Sequence, residues 1–354
     1  MKRQVIKQNV GADLSKDDFK VAFYQQFIDE KMNSGRRIKS TKAFKNTLVG
    51  FKKFVDWIEK HRDSNVEVRI TMEATGVYYE QLVHYLNDNQ SYHLSVVLPN
   101  KTKSYFKSLN LKSKTDKIDA KALGQMGLER DLEKWSPLSN KMLLLKQLTR
   151  SRSSLLDQKT AASNRLHALK HSYQPHKDVV KRMNQLLKFL NKQIKEVEQS
   201  IKGQIQQDPS LRERVENVCT VSGLGVITVA IVIAETGGFE LFTSRGQLIS
   251  FAGYDIVENE SGTSIKSKTR ISKKGNKHIR KAMHYPALTA VRHEANFKRI
   301  YERIFDKTKI KMKGYVAVQR KLLILIYTLF KKNEPYNPNY LQELNTQKTE
   351  LIHN

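Results

Sequence analysis

Two carboxylates stand three residues apart in a stretch otherwise full of lysine. "LKSKTDKIDAKAL", residues 111–123, carries Asp116 and Asp119 among Lys112, Lys114, Lys117 and Lys121. At that spacing on a helix the two acids point the same way. They can form surface ion pairs with their lysines, or they can hold a metal ion against a phosphate. Two more acids stand where apolar runs end: Asp13 after "VGA" and Glu73 after "VRITM". Phosphodiester chemistry needs divalent cations to neutralise the scissile phosphate. Such cations need several hard oxygen ligands drawn from separate elements. Asp13, Glu73, Asp116 and Asp119 together can supply them, although each taken alone reads as a solvated surface acid.

A second candidate lies far downstream, in "ENESGTSIKSKTRISKKGN", where Ser261 precedes Gly262. A serine hydroxyl is a weak nucleophile and needs activation and a phosphate held by cations. Lys266, Lys268, Arg270, Lys273 and Lys274 supply positive charge nearby, and Lys277 and Arg280 continue it along one side of a helix in "NKHIRKAM". Phosphate contact is the expected use of these seven side chains. On the residues alone, a Ser-Gly turn in a basic nucleic-acid-binding loop is the simpler reading, with Ser264, Ser267 and Ser272 as competitors.

The elements that must position these residues are readable in outline. Residues 1–20 predict a strand ending at Asp13, and "DDFKVAFYQQF" predicts a second by its alternation. "RRIKST" allows a short third. "TKAFKNTLVGFKKFVDWIEKHR" has Phe44, Leu48, Phe51, Phe54, Val55 and Ile58 at helical spacing. Then come a strand ending at Glu73, a helix at "YYEQLVHYLNDN", a strand at "YHLSVVLPN" closed by Pro99, and a helix at "DKIDAKALGQMG". This β-β-β-α-β-α-β-α order predicts an α/β domain with a mixed sheet over 1–130, its acids at strand ends where ligand sites collect.

Residues 131–212 predict a helical hairpin broken at Pro175. Met183, Leu187, Leu190, Ile194, Val197 and Ile201 step as an a/d heptad, the pattern of a coiled-coil seam, either within the hairpin or as a dimerisation arm. Residues 213–335 predict a mainly helical domain. It opens on a helix-hairpin-helix around "VSGLGV", whose turn either presents amides to a phosphate or is a tight turn between core helices. Residues 336–354 read as a polar tail.

Composition narrows the class. The 354 residues carry 63 Lys+Arg against 35 Asp+Glu, a formal charge of +28 spread along the whole chain. That excess points to a polyanionic partner met over a broad surface. Cys219 is the single cysteine, which excludes an intramolecular disulfide and a cysteine-based zinc site. The N-terminal "MKRQVIKQNVGADLS" lacks an apolar signal core, and the longest apolar runs, 227–234 and 322–330, are too short to span a bilayer. A soluble, cytoplasmic, nucleoid-associated protein with no membrane partner is expected.

"GADLSK", "MEATGVYYEQL", "KTDKIDAKAL" and the long segment "VSGLGVITVAIVIAETGGFELFTSRGQLISFAGYDIVENESG…RISKKGNKHIRKAM" follow one another in this order. In that order they resemble the DEDD transposases of the insertion-sequence family that includes Piv and MooV. The likeness runs from about residue 8 to about residue 300. It implies an RNase H-like, resolvase-like N-terminal domain and a C-terminal transposase domain. It implies that Asp13, Glu73, Asp116 and Asp119 are a metal-binding tetrad for Mg2+ and that Ser261 is the attacking residue. Where the family commonly has Gly-Leu and a proline before this serine, this chain reads "GYDIVENESG". The resemblance further implies a DNA transposase or site-specific recombinase acting on double-stranded DNA through a phosphoserine link. It also implies a noncoding guide (bridge) RNA and a homo-oligomer, dimer or tetramer. Two other classes stay open: a metal-dependent junction-resolving nuclease using water, and a non-catalytic nucleic-acid-binding protein.

Overall fold

The computed structural model describes residues 3–340 except 90, 112, 114, 259, 262–264, 267 and 268; for 260–261 and 265–266 it describes the backbone alone. The chain divides into two compact units, Met1–Pro137 and Leu138–Asn354.

The first unit is built on β1 (Gln4–Leu14), β2 (Asp18–Ile28), β3 (Ser34–Lys45), α1 (Leu48–His61), β4 (Val68–Glu73), α2 (Glu80–Asn89), β5 (His93–Val97), α3 (Pro99–Ser108) and α4 (Asp116–Glu129). The sheet order is β3-β2-β1-β4-β5. β2 runs antiparallel to β1 and to β3, whereas β1, β4 and β5 are parallel. That order, with the second strand alone reversed, is the RNase H-like arrangement, and the mixed sheet is as the sequence predicts.

Alternation sorts the strands into two faces. Val10, Ala12 and Leu14 of β1 and Val68, Ile70 and Met72 of β4 join α1 and α2 in one core, where Phe19 meets Phe54 and Phe44 meets Trp57 edge to face. The intervening residues, Asn9, Gly11 and Asp13, then Thr71 and Glu73, take the other face, where α4 lies across β1, β2 and β4. The helix α1 begins at Leu48, capped by the Thr47 hydroxyl accepting from the Gly50 amide, and not at the serine and threonine of 40–41. Those belong to β3, which extends well beyond "RRIKST" at both ends.

The second unit opens with α5 (Asn140–Lys170) and α6 (Lys177–Gln206). They pack as an antiparallel pair, shown by the Arg152–Glu198 ion pair between the start of one and the end of the other, 2.7 Å. Along α6, Leu190, Ile194 and Ile201 are buried and Met183, Leu187 and Val197 half-buried. Next come α7 (Pro209–Cys219), α8 (Val226–Thr236), a 3-10 turn at Gly237–Phe239 and α9 (Arg245–Ala252). Four two-residue strands follow: β6 (Ile256–Val257), β7 (Glu260–Ser261), β8 (Ile265–Lys266) and β9 (Arg270–Ile271). The chain then forms α10 (Lys277–Ala282), α11 (His284–His293), α12 (Ala295–Thr308) and α13 (Lys311–Lys332). α8 and α13 supply the centre of the core, through Val229, Val232, Ile233, Val318, Leu322 and Ile326. The turn between α7 and α8 seats Gly223 against the Pro286 carbonyl. Among the described residues no helix is long and apolar enough to cross a membrane.

Candidate active site

The acidic site begins with how closely α4 can approach the sheet. A β-carbon on Gly11 of β1 would lie 2.1 Å from the Ala120 carbonyl oxygen and 2.1 Å from the Gly124 amide nitrogen, so helix and strand meet backbone to backbone. One on Gly127 would collide with Asn9 Nδ2 and Thr71 Oγ1. Those two buried polar side chains are paired: Thr71 Oγ1 donates to Asn9 Oδ1 at 3.1 Å, and Asn9 Nδ2 donates to the Gly124 carbonyl at 2.9 Å. A satisfied buried network of this kind fixes one registration of helix on sheet. Sequence reasoning singles out none of these positions; the paired glycines three apart inside a helix are the available signal.

This docking sets the N-terminus of α4 over the C-terminal ends of β1 and β4. Ala12 pairs with Met72 in the parallel ladder, so the next residue of each strand, Asp13 and Glu73, stand level on the α4 face. Thr115 caps α4 by accepting from the Ile118 amide, and Asp116 and Asp119 fall in its first turn. Carboxylates there also suit the helix dipole. Asp13 thus comes within electrostatic reach of each of the other three acids. Burial, then Asp119, Asp116 and Glu73, push the Asp13 carboxyl up to about 6.

Neighbouring groups restrain two of the acids. Lys20, directly opposite Asp13 across the β1–β2 hairpin, pairs with Asp116 at 2.5 Å. The hydrogen bond and charge of Lys20 hold the Asp116 carboxyl below its usual range. Thr102 of α3 donates to Glu73 Oε2 at 2.5 Å and Thr75 donates to Oε1 at 3.0 Å. Lys20 and Thr102 are further site residues that sequence reasoning misses. Among the described residues, no three acid, imidazole or thiol groups stand close enough to hold an ion as they are placed here. The donor chemistry nevertheless fits a hard divalent cation: four carboxylates gathered at one end of the sheet, with the Asp13 carboxyl raised by burial and then by its three acidic neighbours.

Ser261 belongs to the second unit, on a β-ribbon that sequence reasoning does not foresee in a mainly helical region. β6 pairs with β9 and β7 with β8, so that Ser261 faces Ile265 across the distal ladder. Gly262 and Lys268 lie outside the described residues, and Ser261 and Lys266 are described by backbone only. The base of the ribbon is tightly braced. Ser272 N donates to Asp255 O at 2.8 Å, Lys273 N to Gly253 O at 3.1 Å and Asn276 N to Phe251 O at 2.7 Å. Lys273, Lys274 and Lys277 are exposed beside it, as is Arg270. Arg280 differs: it is half-buried, and its Nη1 donates to the Ala252 carbonyl at 2.7 Å, bracing the ribbon from below.

Comparison with known proteins gives this pair of features a class. A DEDD transposase model of the IS110 type matches residues 10–175, which include all four acids. A model for transposases of the IS116/IS110/IS902 family matches residues 215–302, which include Ser261. A pilin gene-inverting protein of Moraxella bovis is 27% identical over 333 residues, 94% of this chain and 98% of that one. The transposase for insertion sequence element IS1328 of Yersinia enterocolitica is 23% identical over 196 residues, 48% of this chain and 57% of that one. The RuvC structure of Thermus thermophilus covers 36% of this chain and 99% of its own at 10% identity, with a TM-score of 0.28. That score is too low to bear on the fold; the RNase H-like reading rests on strand order and direction. The chain is a DNA transposase or recombinase, an enzyme whose substrate is DNA. It belongs to the IS110 family of transposases.

Proposed function

We propose that this transposase cuts and rejoins double-stranded DNA through Ser261, with Asp13, Glu73, Asp116 and Asp119 as the Mg2+ site. The observation that carries the metal assignment is the convergence of these acids on one sheet face, with Asp13 pushed up to about 6 by burial and its three neighbours. A cation bound by these carboxylates would supply positive charge to the scissile phosphate. Carboxylate oxygens alone suit a hard ion such as Mg2+.

The serine chemistry conserves bonds. The Ser261 hydroxyl loses its proton as its oxygen bonds to phosphorus. One phosphorus–oxygen bond to deoxyribose breaks, and the released DNA hydroxyl takes up a proton. A DNA hydroxyl then displaces the serine in the reverse sense, which rejoins a strand without an external energy source. The exposed lysines and Arg270 at the ribbon base are suited to hold the flanking phosphates.

The guide RNA follows from the family resemblance, and the charge of +28 supports a polyanion of either kind. A homo-oligomer is supported by α6, which leaves Leu186 and Phe189 42% and 57% exposed beside its heptad seam, so that the α5–α6 pair can serve as a coiled-coil arm. The amides opening α8 are offered as the phosphate contact of a helix-hairpin-helix.

The test is a trapping reaction with the cognate element ends, Mg2+ and any co-purifying RNA, run on a denaturing gel. Wild type is expected to form a protein–DNA adduct, Ser261→Ala none, and Asp116→Ala neither adduct nor cleavage while DNA binding is kept. Cleavage without an adduct in any protein would make the chain a nuclease that uses water. Normal cleavage by Asp116→Ala would end the metal assignment.

A further inference from the structure

The second unit contains a buried carboxylate that no step of this chemistry uses. Glu235, in the last turn of α8, has a side chain only 1% exposed. Arg150 of α5 grips it with two bonds, Nε to Oε1 at 2.8 Å and Nη2 to Oε2 at 3.1 Å. Asn276 Nδ2 donates a third, to Oε2, at 2.7 Å. Burial pushes the Glu235 carboxyl up, yet the bonds from Arg150 and Asn276 and the Arg150 charge leave it below the usual carboxylate range.

Desolvating a carboxylate is costly, and an ion pair with one buried member and a half-exposed Arg150 offsets that cost only in part. Its place in the fold therefore calls for an explanation in geometry. Asn276 provides one. Its Oδ1 accepts from the amides of His278 at 2.9 Å and Ile279 at 3.2 Å, which caps α10, while its own amide donates to Phe251 O. Glu235 can only be served by Nδ2, so together with the two cap bonds it holds the Asn276 side-chain amide in one orientation. That orientation sets where the chain leaves the ribbon and enters α10. Just before it, a β-carbon on Gly275 would lie 2.4 Å from Phe251 O, so the two arms of the ribbon base have no slack.

We infer that Glu235 is a positioning residue for strand cleavage: through Asn276 it fixes the 272–276 segment and the β6–β9 ladder beside it, the base from which Ser261 acts. The inference rests on the reading of Ser261 as nucleophile. A purely structural Glu235 would tie α5 to α8 and leave the ribbon unaffected.

The test compares Glu235→Gln with wild type and with the double variant Glu235→Gln, Asn276→Asp. Glutamine replaces one acceptor oxygen with an NH2 donor, so it cannot serve Arg150 and Asn276 as the carboxylate does. In the double variant the introduced glutamine can donate to the introduced aspartate and accept from Arg150, and the aspartate still caps α10. Two quantities are read. Amide exchange of residues 272–276 in the DNA-free protein is expected to speed up at least tenfold in Glu235→Gln and to slow again in the double variant. The rate of adduct formation on element-end DNA is expected to fall at least thirtyfold, with DNA affinity within threefold, and to recover in the double variant. Unchanged exchange at 272–276 overturns the clamp. Faster exchange with a wild-type rate of adduct formation shows a structural tie only and overturns the positioning role. An adduct that persists in Ser261→Ala overturns the underlying serine reading and the inference with it, whatever the exchange data show.

Discussion

Gly11 of β1 and Gly124 of α4 meet so closely that a β-carbon on Gly11 would sit 2.1 Å from the Gly124 nitrogen. This contact sets the height of α4 above the sheet and thereby the distance from Asp116 and Asp119 to Asp13 and Glu73. Gly11→Ala must push the helix outward. Overpacking of a rigid backbone contact costs about 1–3 kcal/mol, and the displaced helix takes two of the four carboxylates with it. We expect a lower urea midpoint together with weaker divalent-ion binding, measured by Mn2+ titration. A variant that loses stability and keeps full ion affinity would show that the contact does not position the acids.

The Asp13 carboxyl gives the metal-free protein a particular pH dependence. It titrates at about 6 in the fold against an ordinary value of 3.8. Below about pH 4 folded and unfolded chains both hold the proton, so the group is neutral towards stability. As pH rises towards 6 the unfolded chain releases its proton first, and the fold loses stability through that window. Above about pH 6 the penalty is complete. Asp13→Asn removes it and is expected to stabilise the protein in EDTA at pH 7.5 by about 1–2 kcal/mol, allowing for partial solvent screening. The gain should vanish by about pH 4. Urea melts across that range check it, and an equal gain at every pH would remove the acid cluster as the cause.

Lys20 stands beside the acid cluster and pairs with Asp116 while both remain substantially exposed, 37% and 56%. Such a pair is worth under about 1 kcal/mol, so Lys20→Met should barely move the melting temperature. Its absence should tighten divalent binding about three- to tenfold, since the lysine competes for Asp116 and repels an incoming ion. Isothermal titration of wild type and Lys20→Met with Mn2+ decides this. Unchanged or weaker binding would mean that the lysine helps to build the site.

The acids are legible in the sequence because chemistry and position coincide in them: each ends an apolar strand or opens a helix. Lys20 is not, because its role depends on the β1–β2 register, which puts it opposite Asp13 and which a single sequence does not number. β3 shows in the sequence only as the short segment 36–41 because Arg36, Arg37, Lys39 and Lys42 hide any alternation. Charges on an edge strand also guard against edge-to-edge pairing, and this strand lies at the sheet edge. Pro99 reads as closing a strand, whereas it is the first residue of α3, where a missing amide costs nothing. The ribbon that carries Ser261 is hidden for a different reason. Its ladders are only two residues long, too short for an alternation to show even where Ile256 stands opposite Ile271, and the bonds that brace its base come from residues 251–255, far from the basic run in sequence.

Thr102 shows what the overlooked α3 contributes. Its hydroxyl is fully buried and donates to Glu73 Oε2, with Thr75 serving the other oxygen. Thr102→Val keeps the shape and removes the donor, leaving a carboxylate oxygen facing a methyl group. Loss of a buried bond to a charged group costs about 1–3 kcal/mol, and partners that orient metal ligands typically govern about 10- to 100-fold in affinity. Thr102→Val should therefore weaken divalent binding about tenfold or more, whereas Thr102→Ser, which keeps the hydroxyl, should stay near wild type. The comparison separates orientation from packing, because serine loses the methyl and valine loses the bond. If serine weakened ion binding as much as valine, the packing of α3 and not its hydroxyl would be what holds Glu73.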